Sequence, residues 1–175
     1  MKTLEQTYNE IATNIADEIT FIIRWGTSKH YFSGAENFGS KAFGRLKIDL
    51  QGAFSTAYMN RLGTFFQDGA NSLEGFIKLS EKLRKIDVNI IASLHNRLKQ
   101  LKKNCIELHN LRNKVFAHWD DVRPEPPNQP IEINTVVKEL LEIFEAAGGR
   151  KIDEEIIQED VKQGWQDLIR RGKAL

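Results

Sequence analysis

Apolar residues recur at steps of three and four along most of this 175-residue chain, and no other feature of the sequence constrains its fold as strongly. Residues at that spacing share one face of an α-helix, whereas the faces of a β-strand repeat every two residues. No segment sustains the alternation that a strand requires. The first predicted helix shows the helical pattern most clearly, on Leu4, Tyr8, Ile11, Ile15, Ile19 and Ile22. The sequence therefore predicts an all-α fold, an antiparallel bundle of about five to six helices.

Capping residues, glycines and prolines set the expected helix boundaries. Thr3 and Gln6 have the spacing of a capping box at the first helix, and Gly26 is expected to end it before a loop, GTSKHYFSG. Asp87 is expected to cap a long fourth helix, which the proline cluster RPEPPNQP stops at about residue 118. The other predicted helices cover about 41–66, 72–85 and 134–147, and a last one begins at Asp153.

Length and composition limit the classes of protein to which the chain can belong. The chain suits one domain covering 1–175, in which 149–175 form a C-terminal helical extension that packs on the same bundle. No apolar run approaches the roughly 20 residues that cross a bilayer, and MKTLEQTYNE lacks the features of a secretory signal. Cys105 is the only cysteine, which excludes an internal disulfide and a cysteine-based zinc site. We therefore expect a cytoplasmic protein with no metal, no cofactor and no membrane partner.

Charge is distributed unevenly, although the formal net charge is only +1. Between Lys78 and Lys114, ten Lys and Arg residues outnumber three acidic residues, whereas ten acidic residues outnumber seven Lys and Arg between Ile131 and Leu175. The basic segment surrounds the end of the fourth helix. This asymmetry favours a polyanionic partner, although the basic run 97–103 is equally typical of a soluble helix face.

The sequence LRNKVFAH, residues 111–118, places an arginine on the apolar side of the fourth helix. At about 100° per residue, Arg112 falls on the line of six apolar residues, Leu94, Leu98, Leu101, Cys105, Leu108 and Val115. Asn113 lies beside it, and His109 lies one turn earlier. His118 lies about 120° around the helix and about 9 Å further along its axis, a separation that a long arginine side chain partly covers.

A purely structural role is an alternative for both Arg112 and His118. An arginine at the end of an apolar stripe commonly rests its stem on apolar surface with its head in water, and a histidine near a helix terminus commonly bonds free carbonyls. Their combination favours chemistry, because histidine is the acid–base group of neutral pH and a guanidinium binds phosphate through two parallel bonds.

Other candidate sites are weaker. The adjacent carboxylates Asp120 and Asp121 are typical of a solvated helix end. Aromatic residues in the predicted loop, at 29–32, could stack on a base but more commonly close the end of a bundle. His95 and His109 are too far apart on one helix to share a metal ion.

RNKVFAH resembles the R-N-x(3–5)-H signature of HEPN domains, which are small all-helical proteins of prokaryotic toxin–antitoxin and phage-defence systems. The longer sequence LRNKVFAHWDD is similar to the AbiU-type branch, which is associated with abortive infection. The resemblance covers the motif closely. It covers the rest of the chain through the number of helices and the position of the motif on a late, long helix.

The resemblance implies a HEPN-like bundle and a metal-independent endoribonuclease with RNA as substrate. Arg112 and His118 would be catalytic, with Asn113 and His109 in support. HEPN ribonucleases are usually homodimers with a composite active site, and in toxin–antitoxin systems an antitoxin protein is a further partner. The predicted contacts to the RNA backbone come from the basic residues around the motif, Lys99, Lys102, Lys103 and Lys114.

A second class of function stays open, a non-catalytic HEPN-like module that binds nucleotide, RNA or another protein through the same residues. The presence of Arg112, Asn113 and His118 together favours the ribonuclease. Five residues rather than four between Arg112 and His118, and Trp119 after the histidine, favour the non-catalytic module.

Overall fold

The computed structural model describes residues 2–34, 50, 53, 57, 61–62, 72–117 and 133–172. These residues include five α-helices with described bounds, further helical positions at 50, 53, 57, 61 and 62, and no strand, which confirms the all-α fold. The helices are α1 (Leu4–Gly34), α2 (Leu73–Lys82), α3 (Val88–Ala117), α4 (Ile133–Ala146) and α5 (Glu154–Gly172). None of these five is both long enough and apolar enough to cross a membrane. Most of the helix predicted at 41–66 lies outside the described residues.

Tertiary contacts carry α1 past Gly26, so the predicted end of the first helix is wrong. A glycine inside a helix costs about 1 kcal/mol relative to alanine. Beyond Gly26, the buried Ser28 hydroxyl accepts a hydrogen bond from the indole of Trp165, a residue of α5 (3.0 Å). This contact with a distant part of the chain outweighs one unfavourable residue. The segment GTSKHYFSG therefore forms the last turns of α1 instead of a loop.

Capping side chains begin α1, α3 and α5 as predicted. The Thr3 amide donates to Gln6 Oε1 (2.9 Å) while the Gln6 amide donates to Thr3 Oγ1 (3.1 Å), which completes the capping box of α1. Asp87 Oδ1 accepts the Asn89 amide (2.9 Å) at the start of α3, and Asp153 caps α5 with its own carboxylate. Each cap satisfies an amide that has no partner within its helix.

Both α2 and α4 end in a left-handed turn. Arg84, with a φ of 55°, follows α2, and the Lys85 amide then donates to the Ser80 carbonyl (2.9 Å). Gly148, with a φ of 90°, occupies the equivalent position after α4. Such turns satisfy the last carbonyls of a helix and favour glycine, since other residues resist a positive φ. The turn at Arg84 ends α2 at Lys82, earlier than the predicted residue 85.

The chain divides into two compact units, and α1 contributes to both. The first unit comprises Met1–Ile19 and Met59–Ile152, and the second comprises Thr20–Tyr58 and Asp153–Leu175. Helices α2, α3 and α4 belong to the first unit, where α3 packs against both α2 and α4. Helix α5 belongs to the second unit, together with the last turns of α1.

Aromatic rings fill the centre of the first unit. The Phe76 ring stacks on Tyr8, with centroids 5.1 Å apart, and contacts Phe144 at 5.4 Å. The Tyr8 hydroxyl donates to the Gly148 carbonyl (2.7 Å), which ties α1 to the end of α4. Burial raises the pKa of Tyr8, so this hydroxyl stays protonated and remains a donor across the neutral pH range. Apolar stacking and one directional bond thus fix the start of α1.

Two glycines should respond in opposite directions to substitution by alanine. A Cβ at Gly149 would lie 2.5 Å from the fully buried Phe144 ring, so we expect Gly149→Ala to lower the free energy of unfolding by about 1–3 kcal/mol. Gly164, inside α5, has open space at its Cβ position, so Gly164→Ala should raise the free energy of unfolding by about 0.5–1 kcal/mol. Thermal unfolding followed by circular dichroism measures both. Shifts of the same sign would contradict the packing at Phe144.

Candidate functional site

The buried face of α3 leads to the LRNKVFAH motif. Among the α3 side chains that the structure describes, five are at most 9% exposed: Ile91, Leu94, Leu98, Leu101 and Cys105. Eighteen residues, or about five turns, separate Leu94 from Arg112, and the backbone stays helical throughout this interval. Position 112 therefore lies in register with the centre of the buried face.

The described residues include the helical backbone of the motif but not its side chains. Seven of the eight predicted site residues are positions of α3, and for four of these, His109, Arg112, Asn113 and Lys114, the structure describes the backbone alone. His118 follows α3 directly in the sequence and lies, with residues 119–132, outside the described residues. The meeting of Arg112 with His118 therefore stays a prediction, based on their separation of about 120° and about 9 Å in helical geometry.

Arg97 clamps α3 to α4. Its Nε donates to Glu139 Oε1 (2.7 Å), and its Nη2 donates to Glu142 Oε2 (2.7 Å). The bond with Glu139, and then that with Glu142, raises the pKa of Arg97 above its ordinary value, while the guanidinium lowers the pKa of Glu139. The composition of the basic segment could not reveal this role, because both carboxylates lie on another helix. The charge of Arg97 is thus engaged within the fold.

Lys102 makes the corresponding contact with α2. Its Nζ lies 3.2 Å from Glu74 Oε2, and Lys78 Nζ lies 2.9 Å from the other oxygen of the same carboxylate. Hydrogen bonds from Lys78 and Lys102 lower the pKa of Glu74. Of the four lysines predicted to contact RNA, Lys102 is therefore one that also makes an ion pair within the fold.

Lys99 and Lys103 differ from their basic neighbours on α3. Both are exposed, and neither approaches a carboxylate in the described part of the chain closely enough to form an ion pair. They are four residues apart, so their positions lie on one side of α3, separated by about 6 Å along the helix axis. Two of the predicted RNA contacts thus present their charge to solvent.

Cys105 belongs to the buried face and is not a nucleophile at neutral pH. Its side chain is 4% exposed, and burial raises the pKa of the thiol to about 11. Because the thiolate is the reactive form of cysteine, the protonated, buried thiol acts as a small apolar side chain.

The segment 29–32 lies on α1, so its prediction as an aromatic loop is wrong. His30 is exposed there, whereas Lys29 and Tyr31 are half-buried. Within the residues that the structure describes, no three His, Cys, Asp or Glu side chains come together as a metal site would require.

Arg97→Gln should destabilise the protein at neutral pH and have less effect in acid. With Arg97 present, the folded pKa of Glu139 lies below its ordinary 4.5. The ion pair therefore contributes fully above about pH 4.5 and is lost as the pH falls through the lowered pKa. Because both side chains are about one-third exposed, we expect a loss of about 1 kcal/mol at about pH 7. Urea unfolding at about pH 7 and pH 3 measures the difference.

Arg170→Gln is the matched control for this measurement. Arg170 lies 3.7 Å from Asp167 on α5, and both side chains are largely exposed, so the variant should unfold as the wild type does. A loss in Arg97→Gln that stays constant between the two pH values would contradict the assignment of the pH dependence to Glu139.

No family model matches the chain, and no curated protein or solved structure shows significant similarity to it. The register of α3 and the chemistry that the residues of its motif can perform are therefore the features from which a function is inferred.

Proposed function

We propose that this protein is a metal-independent endoribonuclease of a toxin–antitoxin or phage-defence system, with Arg112 and His118 as its catalytic pair. One observation carries the proposal. Helix α3 keeps its register as far as Ala117, so an arginine occupies a position in line with the buried face of the helix. His118 follows six residues after that arginine.

A cation at that position opposes the stability of a helical bundle. The line that buries Leu94 and Cys105 favours another apolar residue at position 112, because a guanidinium must keep water or an anion beside it. Binding of phosphate would explain an arginine at position 112. The phosphate would provide the counter-charge, and apolar surroundings would strengthen the attraction. Natural proteins commonly give up stability in this way at functional sites.

The two residues suit cleavage by the neighbouring 2′-hydroxyl of RNA. The 2′-oxygen attacks the phosphorus and releases its proton to water, and the bond from phosphorus to the 5′-oxygen breaks. Arg112 would neutralise the charge that grows on the non-bridging oxygens, and His118 would donate a proton to the departing 5′-oxygen. The products would be a 2′,3′-cyclic phosphate and a 5′-hydroxyl.

The sequence around His118 favours its acid form. The carboxyl end of a helix carries partial negative charge, and Asp120 and Asp121 follow the histidine. Both features stabilise an imidazolium over a neutral imidazole. Asn113 and His109 would assist by orienting the phosphate or the catalytic side chains through hydrogen bonds.

The contacts of α3 with its neighbours would hold such a site in place. Arg97 fixes α3 to α4, and Lys102 fixes α3 to α2, both within the first unit. A site built on an anchored helix keeps its geometry better than one built on a free loop. Arg112 follows the second of these contacts by ten residues, about 15 Å further along α3.

A homodimer would bring the two catalytic residues together. Apolar residues flank Arg112 in the sequence at Leu108, Leu111 and Val115, and contact with another chain at these positions would keep them from water. A twofold axis beside the end of α3 would place two copies of the motif in one cleft. An arginine of one protomer could then serve the histidine of its partner, with an RNA phosphate between the guanidinium groups.

RNA cleavage should depend on both Arg112 and His118 and should persist in the presence of a chelator. Alanine at either position should lower the rate by about 10²–10⁴-fold, because each variant removes a group that stabilises the transition state. The measurement is gel analysis of a mixed RNA pool incubated with purified protein, with chemical identification of the product ends.

Arg170→Ala is the control for charge, because Arg170 is an exposed arginine on α5, and it should cleave as the wild type does. Cleavage that survives in both alanine variants, or that stops when chelator is added, would contradict the mechanism. RNA binding without cleavage by the wild-type protein would instead support the non-catalytic module.

The dimer should dissociate when charge is added beside Arg112. We expect sedimentation to give twice the chain mass for the wild-type protein, and a lower mass with weaker cleavage for Leu111→Glu and Val115→Glu, because a buried carboxylate opposes association. Leu168→Glu is the control, since Leu168 is an exposed apolar residue on α5. A monomeric wild type with full activity would rule out a composite site.

A further inference from the structure

We infer that the exposed side of α3 at Lys99 and Lys103 is a track for the phosphate backbone of single-stranded RNA. The choice of RNA as the polyanion rests on the proposed function. The track itself follows from how the structure uses the positive charges of α3.

Four basic residues lie between Val88 and Cys105, and the structure divides them into two pairs. Arg97 and Lys102 contact carboxylates of α4 and α2, respectively. The other two, Lys99 and Lys103, are exposed and meet no carboxylate in the described part of the chain. Two charges of α3 therefore hold the fold together, and two are left for another role.

The positions of the two pairs around α3 match this division. The engaged residues border the buried face on its two sides, toward α2 and toward α4. Lys99 and Lys103 lie on the opposite side of the helix, about 40° apart around its axis. Their exposed neighbours on that side are the uncharged, hydrogen-bonding residues Asn96 and Gln100. The exposed side of α3 is thus cationic and polar, which suits a phosphate backbone.

Helix stability does not account for Lys99 and Lys103. Like charges four residues apart destabilise a helix. Both residues lie near the middle of α3, where the helix dipole has no influence. No acidic residue lies three or four positions from Lys99 on α3, so the helix offers Lys99 no counter-charge of its own, whereas Glu107 follows Lys103 by four residues. An external anion removes the repulsion, which makes a polyanion the occupant that the charge pattern fits.

The same side of the helix continues to the motif, past the position of Glu107, which follows Lys103 by four residues. Lys114 follows Lys103 by eleven residues, which places it about 20° away around the axis and about 16 Å further along α3. Lysines in one row can follow one strand of phosphates without reading its bases. The row ends beside the sequence that holds Arg112 and His118, so a strand bound to it would be led to the proposed site.

Salt-dependent binding tests the track. Fluorescence anisotropy is measured with a labelled single-stranded RNA over a range of salt, in a His118→Ala background so that the RNA stays intact. Lys99→Gln together with Lys103→Gln should weaken binding on the order of tenfold and reduce the slope of log affinity against log salt by about 1.4. Lys138→Gln with Lys151→Gln is the matched control, since both lysines are exposed in the same unit.

Equal slopes for the two double variants, or no RNA binding at all, would overturn the track. Tighter binding of a duplex of the same sequence would overturn its assignment to a single strand. The fold is checked by melting, because removal of the like-charge pair should leave the melting temperature unchanged or higher. If the salt slope depends on the two lysines but the wild-type protein cleaves no RNA, the track is upheld and the ribonuclease is rejected. If the wild-type protein cleaves RNA but the two double variants have equal salt slopes, the ribonuclease is upheld and the track is rejected.

Discussion

The rotational setting of α3 is the constraint on which the other features of the first unit depend. Burial of an apolar face favours packing but is not directional, so it leaves some freedom of rotation about the helix axis. Two ionic contacts at the borders of that face remove this freedom. Arg97 meets a pair of carboxylates on α4, and Lys102 meets Glu74 on α2. Once α3 is set in this way, the register of every later position on it is determined as far as Ala117.

That register gives the basic residues of α3 different surroundings. Arg97 and Lys102 stabilise the bundle, Lys99 and Lys103 face solvent, and Arg112 takes a position in line with the buried face. A count of charges along the sequence shows only one basic segment. The proposed ribonuclease and the proposed RNA track use different sides of one helix.

Local patterns could predict most of the helices, because caps and apolar periodicity act within a few residues. The capping box at Thr3 and the cap at Asp87 are found as expected. The end of α1 could not be predicted, since the bond that outweighs Gly26 joins Trp165 and Ser28, which are 137 residues apart.

The candidate site could be predicted only in part, for the same reason. The motif is local and places Arg112 on α3. By contrast, the pairing of Arg97 depends on carboxylates 42 and 45 residues away. Composition alone therefore does not distinguish the basic residues that form ion pairs within the fold from those that are exposed. The proposed meeting of Arg112 with His118 would depend on side-chain conformation and, in the proposed dimer, on a second protomer, and periodicity encodes neither.

The central claim is that Arg112 serves chemistry at the expense of stability, and Arg112→Leu tests it most directly. Thermal unfolding and RNA cleavage are measured on the same preparation of this variant. We expect the melting temperature to stay the same or rise, because leucine suits a position in line with the buried face, while cleavage is lost. A variant that melts at a lower temperature and cleaves RNA at the wild-type rate would contradict the claim, because Arg112 would then be a structural residue.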